Sequence, residues 1–172
     1  MIPSPTFTNI RDHAVNAFNT LHGRASRNSW LSKIFMQNNS LKSFLASGST
    51  GLHGRRLHSV QCIRLDAIVG TVHRTDDFDK NFRPLKKHLR DRWVDTLLRL
   101  DTDGWQPIEV HKVGEHYYVK DGHHRVSVAK AVGMMFIDAE VWDHSSCRTP
   151  RDACVSEQKT IKRRAPVYST NS

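Results

Sequence analysis

Five consecutive polar residues, Asp121-Gly122-His123-His124-Arg125, stand between a strand-like apolar run and a helix-like run. Gly122 lets the backbone turn sharply and leaves room for a ligand to approach the main chain. A helix that begins there presents free N–H groups and a partial positive charge, which favour phosphate. Arg125 suits two-pronged phosphate contacts, and each histidine can donate a hydrogen bond without carrying a full charge. These residues predict a phosphate-binding turn.

Other interpretations of this turn stay open. Asp121 can hold a metal ion or orient an imidazole, or it can cap the helix while the two histidines are partly buried. Metal binding by His123 and His124 together is disfavoured, because neighbouring residues on a helix point about 100° apart.

An acidic cluster after Arg74 is the second candidate for chemistry. Phosphoryl transfer needs charge neutralisation and a group that positions or deprotonates the nucleophile. Asp76 and Asp79 are candidate magnesium ligands from this cluster. The candidate catalytic bases are Asp77, His73 and Asp121. The alternative interpretation of the cluster is a solvated loop that caps the following helix.

The positive charge of the chain is concentrated on its two flanks. The net charge is +9. Residues 1–60 hold seven Lys or Arg and one Asp, residues 61–150 hold fourteen of each sign, and residues 151–172 hold five basic and two acidic residues. Such flanks favour a polyanionic partner, DNA first, although a solubilising tail explains the last segment equally well. The candidate nucleic-acid contacts are Lys162, Arg163 and Arg164.

Length and cysteine content restrict the class of protein. A chain of 172 residues accommodates one domain with a core, plus tails. The cysteines at positions 62, 147 and 154 lack C-x-x-C spacing, which favours a reducing compartment over a disulfide framework or a structural zinc site. No run approaches the ~18 apolar residues of a membrane span, and the N-terminus lacks the pattern of a secretory signal. We therefore expect a cytoplasmic protein with no membrane partner.

The elements around the turn indicate a small α/β domain. Residues 60–65 and 136–142 alternate as strands do, and residues 107–120 have the pattern of a hairpin. Residues 84–100 place apolar side chains on one helical face, and a further helix is predicted from about His123 to Gly133. The predicted fold class is α/β (α+β), a small mixed β-sheet with packed helices, preceded by an N-terminal helical segment.

The N-terminal segment has its own helical pattern. Apolar spacing predicts one helix over residues 9–22, a second around residues 30–35 and a third turn near residues 41–45. A stretch rich in Gly and Ser follows and predicts a linker. The expected organisation is an N-terminal helical segment, a linker, a nucleotide-binding domain and a basic, flexible tail: residues 1–46, 47–58, 59–145 and 146–172.

A longer pattern surrounds the turn and extends over residues 60–142. It comprises Gln106-Pro107-Ile108-Glu109-Val110, Val113-Gly114, Tyr118, the turn itself, Ala129, Gly133, Ile137, Ala139 and Val141, with Ile68 to Arg74 as an upstream box. Over about half the chain, this pattern resembles the ParB-like N-terminal (ParB-like nuclease) domain of the ParB/sulfiredoxin superfamily.

The resemblance implies a nucleotide-binding fold whose G-x-x-R turn holds the triphosphate of ATP or CTP, together with Mg²⁺. By position, residues Gly122 to Arg125 would contact phosphates, Arg74 would approach from the opposite loop, and Gln106 would lie near the nucleotide. Members of the superfamily include CTP-hydrolysing DNA-partition proteins, sulfiredoxins that use ATP, free-serine kinases, and plasmid-borne relatives with ATPase and nuclease activity.

The turn of this sequence differs from the sulfiredoxin and partition-protein patterns, and these differences reduce the number of activities that we expect. His123 stands where a sulfiredoxin has its cysteine, so cysteine-sulfinic acid reduction is not expected. Partition proteins carry Gly-Glu-Arg-Arg at the turn and continue into a helix-turn-helix domain. The sequence ends soon after its last predicted strand, so we expect no partition clamp. Asp-Gly-His-x-Arg is more similar to the kinase-like and ATPase-like branch.

The resulting hypothesis is a Mg²⁺-dependent NTPase that acts on or with DNA. A DNase activity is one form that this action on DNA could take. Its alternatives are a non-catalytic, nucleotide-dependent module that binds DNA or a protein, and a kinase similar to free-serine kinases. The expected partners are a nucleotide, DNA through the basic flanks, and a second copy or another protein through the N-terminal helices.

Overall fold

The computed structural model describes residues 7–36, 38–47, 56–100, 102 and 104–144. Within them the helices are α1 (Phe7–Ile34), α2 (Arg90–Leu100) and α3 (His123–Ala131). The strands are β1 (Lys42–Ser43), β2 (Arg56–Arg64), β3 (Ile68–Thr71), β4 (Ile108–Val113), β5 (His116–Asp121) and β6 (Phe136–Asp143). Short 3₁₀ turns lie at Leu45–Ser47, Leu65–Ala67 and Lys87–Leu89.

The strands form one mixed sheet in the order β1-β3-β5-β4-β6-β2. β4 and β5 make the predicted antiparallel hairpin, whose turn contains Gly114 with a φ of 58°. β2 pairs antiparallel with β6, while β4 with β6, β3 with β5, and β1 with β3 are parallel. The predicted fold class, a small mixed sheet with packed helices, is therefore confirmed.

Buried and exposed side chains alternate along β6, as expected for a strand with one face against the core. Ile137, Ala139 and Val141 are buried on one face of the strand, whereas Phe136 and Asp138 are exposed. Side chains along a strand alternate between faces, so the buried face of β6 rests on the core.

The helices cover the sheet around Trp93 of α2. Its side chain is buried, and its Nε1 donates to Ser127 Oγ of α3 at 3.0 Å. Phe18 of α1 packs edge-on against the Trp93 ring at a centroid distance of 5.8 Å. Each buried side chain of this size contributes roughly 1.5–3 kcal/mol. α1 is therefore part of the same core as the sheet.

The prediction of two separate N-terminal helices is wrong, because α1 is continuous over 28 residues. A single helical glycine costs only about 1 kcal/mol relative to alanine. One apolar face of the helix continues on both sides of Gly23: Ala14, Phe18 and Ala25 are buried and Leu21 is partly buried, at the spacing that one helix face requires.

The segments that follow α1 also differ in detail from the prediction. The predicted third turn is the short strand β1 followed by a 3₁₀ turn, and β1 joins the sheet beside β3. β2 begins at Arg56, inside the segment predicted as a linker. The predicted tail lies outside the described residues.

None of the helices in the described part of the chain combines the length and the apolar character that a bilayer crossing requires.

Candidate functional site

The turn between β5 and α3 is built around Gly122. Its φ of 96° and ψ of 20° are left-handed, and a Cβ there would lie 2.5 Å from Ile108 Cγ2. The turn therefore requires glycine for both its conformation and its space. Among the described residues no side chain caps α3, so Asp121 is not a helix cap. Within the described part of the chain, the first N–H groups of α3 have no side-chain acceptor, and a helix N-terminus of this kind favours an anion.

Thr71, at the end of β3, fixes the orientation of His123. Its Oγ1 accepts the backbone N–H groups of His73 and Arg74 at 3.3 and 3.1 Å and lies 2.7 Å from His123 Nε2. Because the two amides occupy both oxygen lone pairs, the hydroxyl proton is free to donate. It has a closer acceptor in His123 Nε2 than in Val119 O, which is 3.3 Å away. This arrangement leaves Nδ1 as the protonated nitrogen of His123.

Both histidines of the turn are buried and neutral. The Phe78 ring stacks on His123 at 6.1 Å and meets His124 edge-on at 5.5 Å. Burial lowers the pKa of each histidine to about 4, and the positive charge of Arg74 acts in the same direction on both. The charge of Arg92 also lowers the pKa of His124. His124 Nε2 is buried, with no hydrogen-bond partner among the described residues.

A small cavity of about 70 Å³ opens at this turn. Arg74 lines it from the loop after β3, and Arg92 and Thr96 line it from α2. The remaining lining residues are Asp121, Gly122, His123, His124 and Arg125. The cavity therefore combines an uncapped helix N-terminus with three guanidinium groups.

A larger cleft of about 500 Å³ adjoins this cavity. Arg92, Thr96 and Arg125 line both spaces, so the two are adjacent. The larger cleft is further lined by Asp95, Arg99, Gly104, Trp105 and Gln106. Trp105 Nε1 donates to Thr96 O at 2.9 Å, which fixes the indole at the edge of the cleft.

Arg125 is held by the protein itself. Its Nη1 donates to Gln106 O at 2.5 Å and to Pro107 O at 2.9 Å, and its Nη2 donates to Asp121 Oδ2 at 2.5 Å. An arginine has five N–H donors, so most of them are already used. Arg125 ties the turn to the loop before β4, and Asp121 is paired at the same time.

Asp77 also forms ion pairs with two neighbouring cations. It accepts from Lys86 Nζ at 2.8 Å and from Arg74 Nη1 at 3.2 Å. Burial acts to raise the pKa of Asp77, but the hydrogen bonds and charges of Lys86 and Arg74 outweigh it and hold this pKa below its ordinary value. Asp77 therefore stays ionised at neutral pH and is a weak base.

Asp79, a predicted magnesium ligand, holds the loop that leads to α2. It is fully buried, pairs with Arg83 at 2.7 Å, and accepts the backbone N–H groups of Asn81 and Arg83 at 2.9 Å each. These contacts support Phe82 at a φ of 58°, where a bulky residue is rarely found. Asp76, the other predicted ligand, is exposed. Among the described residues no group of three or more His, Cys, Asp or Glu could hold a metal ion.

The other predicted site residues do not all lie at one place. Arg74 and the residues of the turn meet at the small cavity, and Gln106 lines the adjoining cleft. His73 is exposed, and its backbone N–H binds Thr71. The predicted nucleic-acid contacts at positions 162–164 lie outside the described residues.

Several residues of the site were not singled out from the sequence. Thr71 falls inside the upstream box Ile68 to Arg74, but no role was predicted for its side chain, and β3 was not predicted as a strand. Arg92, Thr96 and Arg99 repeat at helical spacing on the polar face of α2. That repeat is the signal that could have indicated a polar stripe, although the spacing alone does not say what the stripe faces.

Comparison with known proteins gives a distant similarity to solved structures. No protein-family model matches the chain, and no curated protein matches it. Among solved structures, the chain is similar to sulfiredoxin from Arabidopsis thaliana, with a TM-score of 0.38 and 19% sequence identity. The similarity covers 62% of this chain and 99% of that one.

Proposed function

We propose that this protein binds a nucleoside triphosphate, ATP or CTP, with the phosphates in the small cavity at the N-terminus of α3. The observation that carries the proposal is the helix N-terminus at Gly122, which has no side-chain cap among the described residues and opens into a cavity with Arg74 and Arg92. A bound phosphate would accept the free N–H groups of the first turn and would be neutralised by the two arginines.

The neutral histidines support the same assignment. A neutral imidazole donates one hydrogen bond without repelling the nearby arginines, and Nδ1 of His123 is the donor that Thr71 leaves available. Arg125 takes a positioning role in this proposal, because it holds the turn against the loop before β4.

The nucleoside would lie in the adjoining cleft. This space adjoins the small cavity, and it is lined by the aromatic ring of Trp105 and by the amide of Gln106. An aromatic side chain can stack on any base, and an amide can donate and accept hydrogen bonds. This placement allows either ATP or CTP.

Mg²⁺-dependent hydrolysis or transfer of the terminal phosphoryl group is the reaction proposed for the bound nucleotide. Mg²⁺ commonly enters such sites on the phosphates, with one or two protein carboxylates. The exposed Asp76 is the candidate carboxylate here, since Asp79 is occupied by Arg83. The Mg²⁺ would neutralise phosphate charge; the residues of this chain would bind and orient the triphosphate.

A nucleotide-dependent regulatory module is the second candidate function. It is favoured by the ion pairs of Asp77 with Lys86 and of Asp121 with Arg125, because a paired carboxylate is a poor general base. In this form of the proposal, nucleotide occupancy changes how the basic flanks hold DNA, and turnover is negligible.

A nucleotide panel tests the proposal. Calorimetry with ATP, CTP, GTP and UTP, with and without Mg²⁺, measures binding, and release of inorganic phosphate measures turnover. Binding with turnover supports the enzyme, and binding without turnover supports the regulatory module. If no nucleotide binds to the full chain in either condition, the proposal is wrong.

A further inference from the structure

A second surface of the protein shares no lining residue with the small cavity or the adjoining cleft. It begins at the C-terminal end of α1, where large apolar side chains are exposed in the last turns of the helix and directly after it. Trp30 is 64% exposed, Phe35 68% and Met36 95%, and Leu31 and Ile34 are exposed beside them. Single exposed apolar residues are normal, but a contiguous group of this size marks an interaction site.

This apolar end borders two adjacent depressions. One, of about 250 Å³, is lined by Leu31 of α1 and by Phe35 and Asn38, which follow the helix. The other, of about 500 Å³, is lined by Lys42, Lys80 and Lys130. Asn38 and Lys80 line both, so apolar side chains lie at one end of this surface and lysines at the other. We call the two depressions together the α1 groove.

The lysines of the α1 groove have no carboxylate partner within the described part of the chain. Lys130 is partly buried, with its Nζ 4.8 Å from the Phe82 ring centroid and 3.4 Å from Ile68 O. Asp66, which also lines the groove, already pairs with Arg64. The charges of Asp66 and Asp79 act on Lys130 without forming an ion pair with it. Three lysines and one aspartate line the larger depression, which therefore carries an excess of positive charge.

We propose that the α1 groove binds an acidic segment of a partner protein. An apolar side chain of that segment would pack against Leu31 and Phe35, and its carboxylates would pair with Lys42, Lys80 and Lys130. A concave groove with amides such as Asn38 fits an extended chain, whose backbone can hydrogen-bond to them. The charge of the groove selects for Asp and Glu in the partner.

Charge and shape disfavour other occupants of the α1 groove, such as other segments of this chain, a second copy, DNA or a bilayer. Residues 145–172 of this chain hold six Lys or Arg and two acidic residues, and residues 48–55 hold one Arg and no acid. These segments would be repelled by the lysines, and a second copy packed groove to groove would oppose lysine to lysine. Duplex DNA would leave Leu31 and Ile34 without apolar contact, because its surface is phosphate and sugar. A flat bilayer would not fill the groove.

Peptide selection on the full chain tests this proposal. A random-peptide display library is selected on the immobilised wild-type protein, and the enriched peptides are synthesised with a fluorescent label. We expect enrichment of Asp and Glu next to Leu, Ile or Phe. Anisotropy titrations should then show about tenfold weaker binding to the Lys80→Glu and Phe35→Ser variants, which corresponds to about 1.4 kcal/mol.

A matched control uses Val60, which is 62% exposed on β2 and lines neither depression. Val60→Ser removes an exposed apolar side chain elsewhere and should leave peptide binding unchanged. Unchanged circular dichroism of all three variants establishes that they fold. The proposal is overturned if no acidic peptides are enriched, or if they bind Lys80→Glu as tightly as wild type. It is also overturned if duplex DNA, anionic vesicles or a second copy occupies the groove instead.

Discussion

His123 Nε2 lies 2.7 Å from Thr71 Oγ1, and this contact joins the first turn of α3 to the end of β3. The same oxygen accepts the backbone N–H groups of His73 and Arg74. One buried hydroxyl therefore sets both the ring orientation of His123 and the start of the loop that carries Arg74. The geometry proposed to bind phosphate depends on a residue that is not itself proposed to touch the ligand.

Replacing Thr71 by valine should weaken both the fold and the site. Thr71→Val keeps the shape but leaves the partly buried amides of His73 and Arg74 and the buried His123 ring without their partner, which costs about 1–3 kcal/mol of unfolding free energy. Thr71→Ser keeps the hydroxyl and serves as the control. Urea unfolding measures stability, and nitrogen NMR of the imidazole reports the tautomer. Equal stability and the same His123 tautomer in both variants would contradict the role assigned to the hydroxyl.

Gly122→Ala should cost more stability than the same change at Gly133. Both residues have positive φ, 96° and 80°, so both substitutions introduce backbone strain on the order of 1–3 kcal/mol. A Cβ at Gly122 additionally meets Ile108 at 2.5 Å, whereas at Gly133 nothing lies within 4 Å. Thermal or urea unfolding of the two variants isolates the effect of this close contact. Similar losses at both positions would mean that space at the turn is not limiting.

Substitution of Arg92 should mainly weaken triphosphate binding, whereas substitution of Arg125 should lower stability. Arg92→Ala removes a cation from the cavity wall and should weaken triphosphate binding by about tenfold while changing stability little. Arg125→Ala leaves the carbonyls of Gln106 and Pro107 without a donor, so it should lower the unfolding free energy by about 1–3 kcal/mol. Calorimetric titration and urea unfolding are measured on both.

Arg90→Ala is the control for Arg92. Arg90 is on the same helix and lines neither the cavity nor the adjoining cleft, so its loss should leave affinity unchanged. Weakening by Arg90→Ala as strong as that by Arg92→Ala would show that only overall charge matters.

The stability of the protein should fall as the pH falls through the range between 6.5 and about 4. His123 and His124 have a folded-state pKa of about 4 against an ordinary value of 6.5. The unfolded chain therefore binds up to about two more protons in this range. The contribution of the two histidines to the unfolding free energy is fully present above pH 6.5 and is lost as the pH falls toward 4. Urea unfolding from pH 7 to pH 4 measures this slope. The double variant His123→Gln, His124→Gln should have a shallower slope, and an unchanged slope would be inconsistent with buried neutral histidines.

Local sequence was sufficient to predict the elements next to the turn. The hairpin of β4 and β5 and the helix α3 are confirmed, because alternation, Gly114 and Gly133 specify them within a few residues. The division of α1 into two helices failed for a long-range reason. The packing of Phe18 on Trp93 of α2 stabilises α1 on the core, so the cost of Gly23 is overcome by contacts outside its own segment.

The roles of the arginines depend on tertiary contacts that spacing does not reveal. Arg125 has the position expected of a phosphate ligand, yet its donors reach carbonyls 18 and 19 residues earlier in the chain. Arg92 reaches the cavity because the hydrogen bond from Trp93 to Ser127 sets which face of α2 meets α3. Periodicity predicts that α2 is amphipathic, but it does not identify the element that its polar face meets.

An NMR titration can locate a triphosphate at the N-terminus of α3. Amide proton and nitrogen shifts of the ¹⁵N-labelled protein are followed while ATP, or CTP, is added. We predict that the amide signals of His123, His124 and Arg125 shift most and shift together, because their N–H groups would donate to the phosphate. Saturable shifts elsewhere, with these three amides unmoved, would contradict it.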